Sequence, residues 1–359
     1  MRFLHTSDWQ LGLARFWFEP EAEARYQHDR FEAVRRLGEV ARGAGAEFVV
    51  VAGDVFESNR VDGRTLRRGL DAMAAVGLPV LLLPGNHDPL DAGSVYRSRA
   101  FRDACPANVR VIASSEPVEV RPGVEVVGAP WASKRPHGDL VAALAAGLAP
   151  AAGVLRVAVA HGEVDELAPD PDGAAVIRLD AARRALADGR FHYLALGDRH
   201  SATAVDERIR YSGTPEVTDF DEERPGRVLV VDLAEGGCAV EEVEIGRWRF
   251  AARRAELDGD AAVARLAAEL EAVADKPRTA LRLVLGGALP LHARAALDDL
   301  LAAARERFAA VLLPGDGPLL LPDAVDRDAL DLSGYAAAAF ERLLAEARGE
   351  GDEAAVARG

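Results

Sequence analysis

Apolar and polar positions along this chain fall into two alternating rhythms. Arg25–Gly43 sets Phe31, Val34, Leu37, Val40 and Ala41 at helical spacing, and Leu66–Val76 repeats that pattern. Around them lie unbroken apolar runs: FVVVAGD, LPVLLLPGNHD, VEVVGAP, LRVAVAHG and HYLALGD, with MRFLHTS opening the chain. A strand buried on both faces has no polar side to show, so such runs predict central strands of a covered sheet. Each stops at a short polar or glycine-containing loop. Strand, loop and helix in that order predict an α/β fold, a layered core of central β-sheets flanked by helices.

From about Trp248 the rhythm continues but its loop chemistry changes. WRFAARRAEL, TALRLVLGG and AAVLLPG read as strands, separated by the helical patterns DGDAAVARLAAELEAV and RAALDDLLAAARERF. A division follows into a catalytic domain over 1–246, a small α/β cap domain over 247–315, and a closing segment over 316–359. That segment holds a Pro- and Asp-rich connector, an amphipathic helix with Tyr335, Phe340, Leu343 and Leu344 on its apolar side, and a frayed tail.

Chemistry in layered α/β folds gathers where strands end. Here those ends hold Asp8, Asp54, Asn86 with His87, His161, and Asp198 two residues before His200. Taken alone, Asp8 reads as a cap or turn residue, Gly53-Asp54 as ordinary turn chemistry, and His161 as a core histidine. Metal-capable groups at five separated strand ends, in a chain with eight histidines, point instead to one shared site. Hydrolysis of a phosphodiester needs a nucleophilic hydroxide and neutralised phosphate oxygens, which two cations about 3.5–4 Å apart supply. Mixed imidazole and carboxylate donors suit Mn, Fe or Zn, with Mg possible, better than Ca.

SDWQ, GDVFE, GNHD, AHGE and GDRH, in that order, resemble the five motifs of calcineurin-like metallophosphoesterases, and HTSDWQLG and YSGTPE are similar to the SbcD nuclease branch. The resemblance implies a two-metal DNA nuclease acting in repair with an SMC-like (SbcC-type) ATPase, as a homodimer. Carried over by residue, Asp54 would bridge two divalent ions, most naturally Mn. Asp8 and His200 would complete the first, Asn86 and His161 the second. His87 would face the substrate and steady the phosphate or protonate the leaving oxygen. Asp88 would orient the His87 ring or lie exposed in its loop. Three positions depart from the family pattern: Gln10 and Asp198 stand where histidines are usual, and Glu57 where the nuclease branch commonly has another. Gln10 and Asp198 keep an oxygen donor, so both are candidate ligands. Gly85, Gly162, Gly197 and Gly213 are expected to shape the backbone around the ions.

Composition sharpens the picture in two ways. A net charge of −15 argues against a generally basic nucleic-acid binder, although bound cations reverse the local field of an acidic site. It also keeps open a small-molecule phosphodiesterase, and the three departures keep open a scaffold without activity. Arg60, Arg64, Arg67 and Arg68 follow GDVFE, and Arg97, Arg99 and Arg102 follow GNHD, where a DNA backbone would run. An arginine-biased solvated face explains them equally well, since only Lys134 and Lys276 among 43 basic residues are lysines. Asp165, Glu166, Asp170 and Asp172 form an acidic loop, and Trp9 and Trp131 read as core. His5, His28, His137, His192 and His292 carry no functional reading. The closing helix could dock an ATPase coiled coil or pack on the cap. Two unspaced cysteines, no apolar run long enough for a membrane span and no leader-like start predict a cytoplasmic protein.

Overall fold

The computed structural model describes residues 1–173, 175–321, 323, 325–326 and 332–348. The tail expected to fray, 351–359, lies outside the described residues, as does part of the Pro- and Asp-rich connector. In chain order the elements of the larger unit are β1 (Arg2–Thr6), α1 (Pro20–Gly43), β2 (Val49–Val51), α2 (Gly63–Val76), β3 (Val80–Leu82), α3 (Arg99–Ala104), β4 (Val109–Val111), β5 (Val118–Arg121) and β6 (Val124–Ala129). They continue with α4 (Leu140–Gly147), β7 (Leu155–His161), α5 (Leu179–Ala187), β8 (Tyr193–Gly197), β9 (Thr203–Ala204), β10 (Ile209–Tyr211), β11 (Arg227–Ala234) and β12 (Gly237–Glu244).

Two six-stranded sheets result, in the orders β12-β11-β1-β2-β3-β4 and β5-β6-β7-β8-β10-β9. Their facing sides form one core, in which Phe3, Phe48, Val50 and Leu81 meet Val126, Val157, Val159 and Tyr193. Phe3 stacks on Phe48 within its own sheet and meets Tyr193 of the other edge-on, with ring centroids 5.2 and 5.5 Å apart. The outer face of the first sheet is covered by α1 and α2 through Phe31, Val34, Leu37, Leu66, Leu70 and Met73. The second sheet is covered by α4 and α5 through Val141, Leu144, Leu179 and Ala182. Helix, sheet, sheet, helix is the layered α/β arrangement that the unbroken apolar runs predicted.

Parallel pairing sets the polarity that matters. β1, β2 and β3 run parallel as neighbours, and so do β7 and β8, so the loops after all five strands emerge at the sheets' C-terminal edges. Asp8, Asp54, Asn86, His161 and Asp198 lie at those ends.

A second compact unit comprises Phe16–Ala22 with Arg249–Gly359. Its strands β13 (Arg249–Leu257), β14 (Thr279–Leu289) and β15 (Ala310–Leu312) are parallel, with β16 (Leu319–Leu320) also on β14. Helices α6 (Asp260–Glu271) and α7 (Leu291–Arg307) supply Leu266, Leu270, Leu297 and Leu301 to a separate core. Trp17 packs against Phe18 and edge-on to Phe250 in this unit. The closing helix α8 spans Gly334–Arg348, with Tyr335 and Leu343 exposed and Leu344 buried. Both cysteines are free, and no described helix is long and apolar enough to cross a membrane.

Candidate metal centre

The loops after β1, β2 and β8 turn sharply, and the backbone records it. Of the five non-glycine residues with positive φ among the described residues, four are candidate ligands: Asp8 (54°), Gln10 (41°), Asp54 (53°) and Asp198 (94°). Residues other than glycine hold such angles only where the surroundings over-determine them, a condition that clusters at functional sites. Here each loop is pinned by another. Asp8, Gln10 and Leu11 donate their amides to the carbonyls of Gly53, Asp54 and Val55, and the Asp198 amide donates to both Asp8 carboxylate oxygens at 3.2 Å. Gly197 lets β8 come within reach of β2; a Cβ there would lie 1.9 Å from the Ala52 carbonyl oxygen.

The side chains converge in two overlapping groups. In one, His161 Nε2 lies 2.7 Å from Asn86 Oδ1 and 3.5 Å from both Asp54 Oδ1 and Asp198 Oδ1. In the other, His200 Nε2 lies 3.2 Å from the Gln10 amide and 3.8 Å from Asp8 Oδ1. Asp8, Asp54 and His161 each offer a ligand atom within 4.8 Å of the other two, which joins the groups. All seven candidate donors are therefore brought together. Asp8, Gln10, Asp54 and His161 are buried, while Asp198 and His200 are partly open to solvent.

The donor set fits cations. The Asn86 amide oxygen sits against His161 Nε2 and 3.1 and 3.3 Å from the Asp54 oxygens. With the amide turned over, its NH2 would donate to all three atoms instead, so the oxygen-inward orientation is the one a cation would favour. Burial pushes Asp8 up to about 6, against the pull of His200 and His161. Burial would raise Asp54 too, but the neighbouring His161 charge and hydrogen bond prevail and hold it below the usual range. For His161, burial favours the neutral ring, yet Asp54 and Asp198 together lift it well above the ordinary imidazole value. A cation bound there would have to displace any proton that these groups hold. Proton competition at Asp8 has a definite sign. Mn²⁺ affinity should fall as pH drops through about 6, approaching tenfold per pH unit for each proton displaced. Calorimetric titration across that range measures it; affinity independent of pH would show that Asp8 is not a donor.

Both histidines have their outer nitrogen fixed. His161 Nδ1 donates to the Ala52 carbonyl at 2.8 Å, so Nε2 presents its lone pair inward. His200 Nδ1 lies 2.6 Å from Thr218 Oγ1 and 2.8 Å from Glu222 Oε1. Burial opposes a charged His200, but Glu222 and then Asp8 raise it above its ordinary value. Glu222 and Thr218 are functional candidates that the sequence reading missed; Glu222 stands in the acidic run DFDEE with no motif around it. Glu222→Gln should weaken one cation by about 10–100-fold, the usual cost of losing such an outer partner, with the other unaffected. YSGTPE is explained as scaffolding. Ser212 Oγ meets Ser7 Oγ at 2.9 Å, Thr214 Oγ1 donates to the Asp8 carbonyl at 2.8 Å, and Glu216 is wholly buried.

His87 stands apart from the donors. Its amide donates to Asp54 Oδ1 at 3.0 Å, its Nδ1 donates to the Glu57 carbonyl at 2.9 Å, and Nε2 lies 3.9 Å from Asp54 Oδ2 on a half-open ring. Asp88 corrects the expectation. It neither touches His87 nor lies exposed: it is fully buried and accepts from Gly85 N, Phe56 N and the Tyr96 hydroxyl, tying the GNHD loop to the GDVFE loop. Glu57 Oε1 is 3.7 Å from His87 Nδ1.

The arginines divide. Arg60, Arg64, Arg67 and Arg97 are exposed, whereas Arg68 lies over the Phe31 ring at 4.3 Å and donates to His28, and Arg99 pairs with Asp103 at 3.1 Å. In the acidic loop, Glu166 pairs with Arg183. Trp9 and Trp131 are buried, with indole N–H bonds to Thr6 Oγ1 and the His161 carbonyl.

Over residues 1–173 the chain matches the family model for calcineurin-like phosphoesterases. It is 36% identical over 94 residues to the SbcD component of the SbcCD nuclease of Rhodobacter capsulatus, covering 25% of this chain and 22% of that protein. The corresponding SbcD component of Escherichia coli K12 is 37% identical over 91 residues, 24% of this chain and 21% of its own length. The DNA double-strand break repair protein Mre11 of Archaeoglobus fulgidus is 31% identical over 91 residues, 24% and 19%. These matched stretches span about a fifth of each relative.

Proposed function

We propose that this chain, which matches the calcineurin-like phosphoesterase family model over residues 1–173, is a two-metal-dependent nuclease that hydrolyses phosphodiester bonds of DNA. The observation that carries the proposal is the meeting of seven donor side chains from five separated loops in one mostly buried cluster. Divalent cations, when bound, supply positive charge that acidifies water and neutralises phosphate oxygens. Asp8, Gln10, Asp54 and His200 would hold one, and Asp54, Asn86, His161 and Asp198 the other. His87 needs no cation contact for its part. With Nδ1 committed to the Glu57 carbonyl, Nε2 is the atom free to carry a proton to a leaving oxygen. DNA as substrate is supported by the nuclease relatives and by exposed Arg60, Arg64 and Arg67, which follow Asp54 and suit a phosphate backbone. An SMC-like ATPase partner and a homodimer are proposed on the family resemblance.

Purified protein with Mn²⁺ should cleave single- or double-stranded DNA. Intact DNA alongside turnover of a cyclic nucleotide would replace this reading with a small-molecule phosphodiesterase. No hydrolysis of either, or of bis-p-nitrophenyl phosphate, would leave a scaffold. His87→Ala should lower the rate by roughly 10²–10⁴, the range for a lost general acid, with cation stoichiometry unchanged. Metal analysis of that variant showing a lost cation would reassign His87.

A further inference from the structure

The turn Asp8–Trp9–Gln10 holds two left-handed residues around one ordinary one, with φ of 54° and 41°. Its amides are held by the loop after β2, through Gln10 N to the Asp54 carbonyl and Leu11 N to the Val55 carbonyl, both at 2.9 Å. Its carbonyls are held from another side. Thr214 Oγ1 donates to Asp8 O, and Arg30 Nη2 donates to Trp9 O at 2.6 Å.

Arg30 is an unusual residue to find there. It projects from α1, is 2% exposed, and its other terminal nitrogen donates to Tyr26 Oη at 3.0 Å and the Glu216 carbonyl at 3.3 Å. None of these acceptors is a carboxylate, and its Nε has no partner among the described residues. The Glu216 and Glu57 carboxylates lie close enough to feel its charge but are not among these acceptors, so the buried guanidinium is incompletely compensated, and an apolar side chain would serve stability as well or better. What an apolar side chain could not do is fix the peptide between two candidate ligands.

The groups around Arg30 are themselves anchored. Tyr26 Oη donates to the Val217 carbonyl at 2.7 Å, and its ring meets Trp248 edge-on at 5.0 Å. The Trp248 indole donates to Asp29 Oδ2 at 3.0 Å. The Glu216 carboxylate accepts from Arg36 at 2.5 Å and from the amides of Arg247 and Trp248. Arg30 therefore joins the Asp8–Gln10 turn to a rigid, buried frame.

We propose that Arg30 is the positioning residue of this turn, holding the Asp8 and Gln10 donors in their strained conformation through the Trp9 carbonyl. The inference rests on the reading of the site as cation-binding, and its test separates the two. In cation-free Arg30→Met, amide exchange at Gln10 and Leu11 should rise tenfold or more while amides of β7 keep their protection. On titration with Mn²⁺, one binding step should weaken by about 10–100-fold and the other stay within threefold. Arg30→Lys, which restores a donor to one carbonyl, should recover part of both effects. Tyr26→Phe keeps the packing and removes one Arg30 acceptor, so it should show a smaller rise at the same two amides. Uniformly faster exchange, or equal weakening of both steps, would make Arg30 merely structural and overturn the proposal; unchanged exchange in both Arg30→Met and Tyr26→Phe would do so as well. Wild-type protein that binds no Mn²⁺ would instead overturn the cation reading, with the exchange result still deciding whether Arg30 holds the turn.

Discussion

Replacing Asp54 by alanine is expected to abolish binding of both cations and to reduce phosphodiester hydrolysis by roughly 10³-fold or more, since cation stabilisation is worth several kcal/mol and each 1.36 kcal/mol is tenfold. Asp54 is the carboxylate common to both donor groups: it lies 3.5 Å from His161, within 4.8 Å of Asp8, and receives the His87 amide. Losing Asp8 or Asp198 would strip one group; losing Asp54 strips both. Alanine also fits the backbone poorly at φ 53°, at about 1 kcal/mol, whereas asparagine tolerates the left-handed region. Asp54→Asn is therefore the cleaner companion, removing charge and little else. Thermal unfolding with and without Mn²⁺ is the measurement. Wild type should gain about 2.7 kcal/mol at a hundredfold excess over Kd, by mass action on the folded state. Neither variant should gain anything. A variant that still binds two ions would mean that Asp54 does not bridge.

Much of this arrangement was legible because it follows from short-range pattern. Unbroken apolar runs reveal strands covered on both faces, and the polar residue that ends each run marks the sheet edge where loops meet. The candidate donors at 8, 54, 86, 161 and 198 are placed at strand ends by the pattern alone, and their roles come from the family resemblance. What stayed hidden depends on contacts between distant segments. Glu222 reads as one acid among several in DFDEE, and nothing local says that its carboxylate turns inward to His200. Arg30 sits in a helix rich in charged residues within an arginine-biased chain, so its burial against Trp9 left no trace in the pattern. Asp88 was misjudged for the related reason that a polar residue in a loop is ordinarily solvated. Here Tyr96 and two backbone amides hold it inside, and burial, then the Asp54 charge, raise it to about 6 against the pull of those hydrogen bonds. Residues 16–22 cluster with the second unit through Trp17 and Phe250, an association across more than 200 positions that periodicity cannot express.

Gly53 is the residue whose importance the sequence understated most, and Gly53→Ala should destabilise the protein by about 3 kcal/mol or more, in the range reserved for overpacked or strained sites. Gly-Asp is common turn chemistry and carries little information alone. In the fold, Gly53 has φ 95°, and a Cβ on it would fall 2.1 Å from His161 Nδ1 and 2.5 Å from Cγ. The ring cannot retreat cheaply. Nδ1 is bonded to the Ala52 carbonyl, Trp131 stands edge-on at 6.1 Å, and the residue is buried. Relief must come from moving the end of β2 or expelling His161, and either disrupts the donor group around Asn86. The same substitution at Gly63, in the first turn of α2, meets nothing within 4 Å. It should be neutral or stabilise by about 0.4–1 kcal/mol, because alanine narrows the unfolded ensemble. Urea unfolding of the two variants side by side tests the contrast, since glycine-to-alanine chemistry is identical and only the surroundings differ. Equal midpoints would mean that β2 and His161 do not approach as closely as the ring-to-backbone distance requires, and the cation site would lose its second group of donors with them.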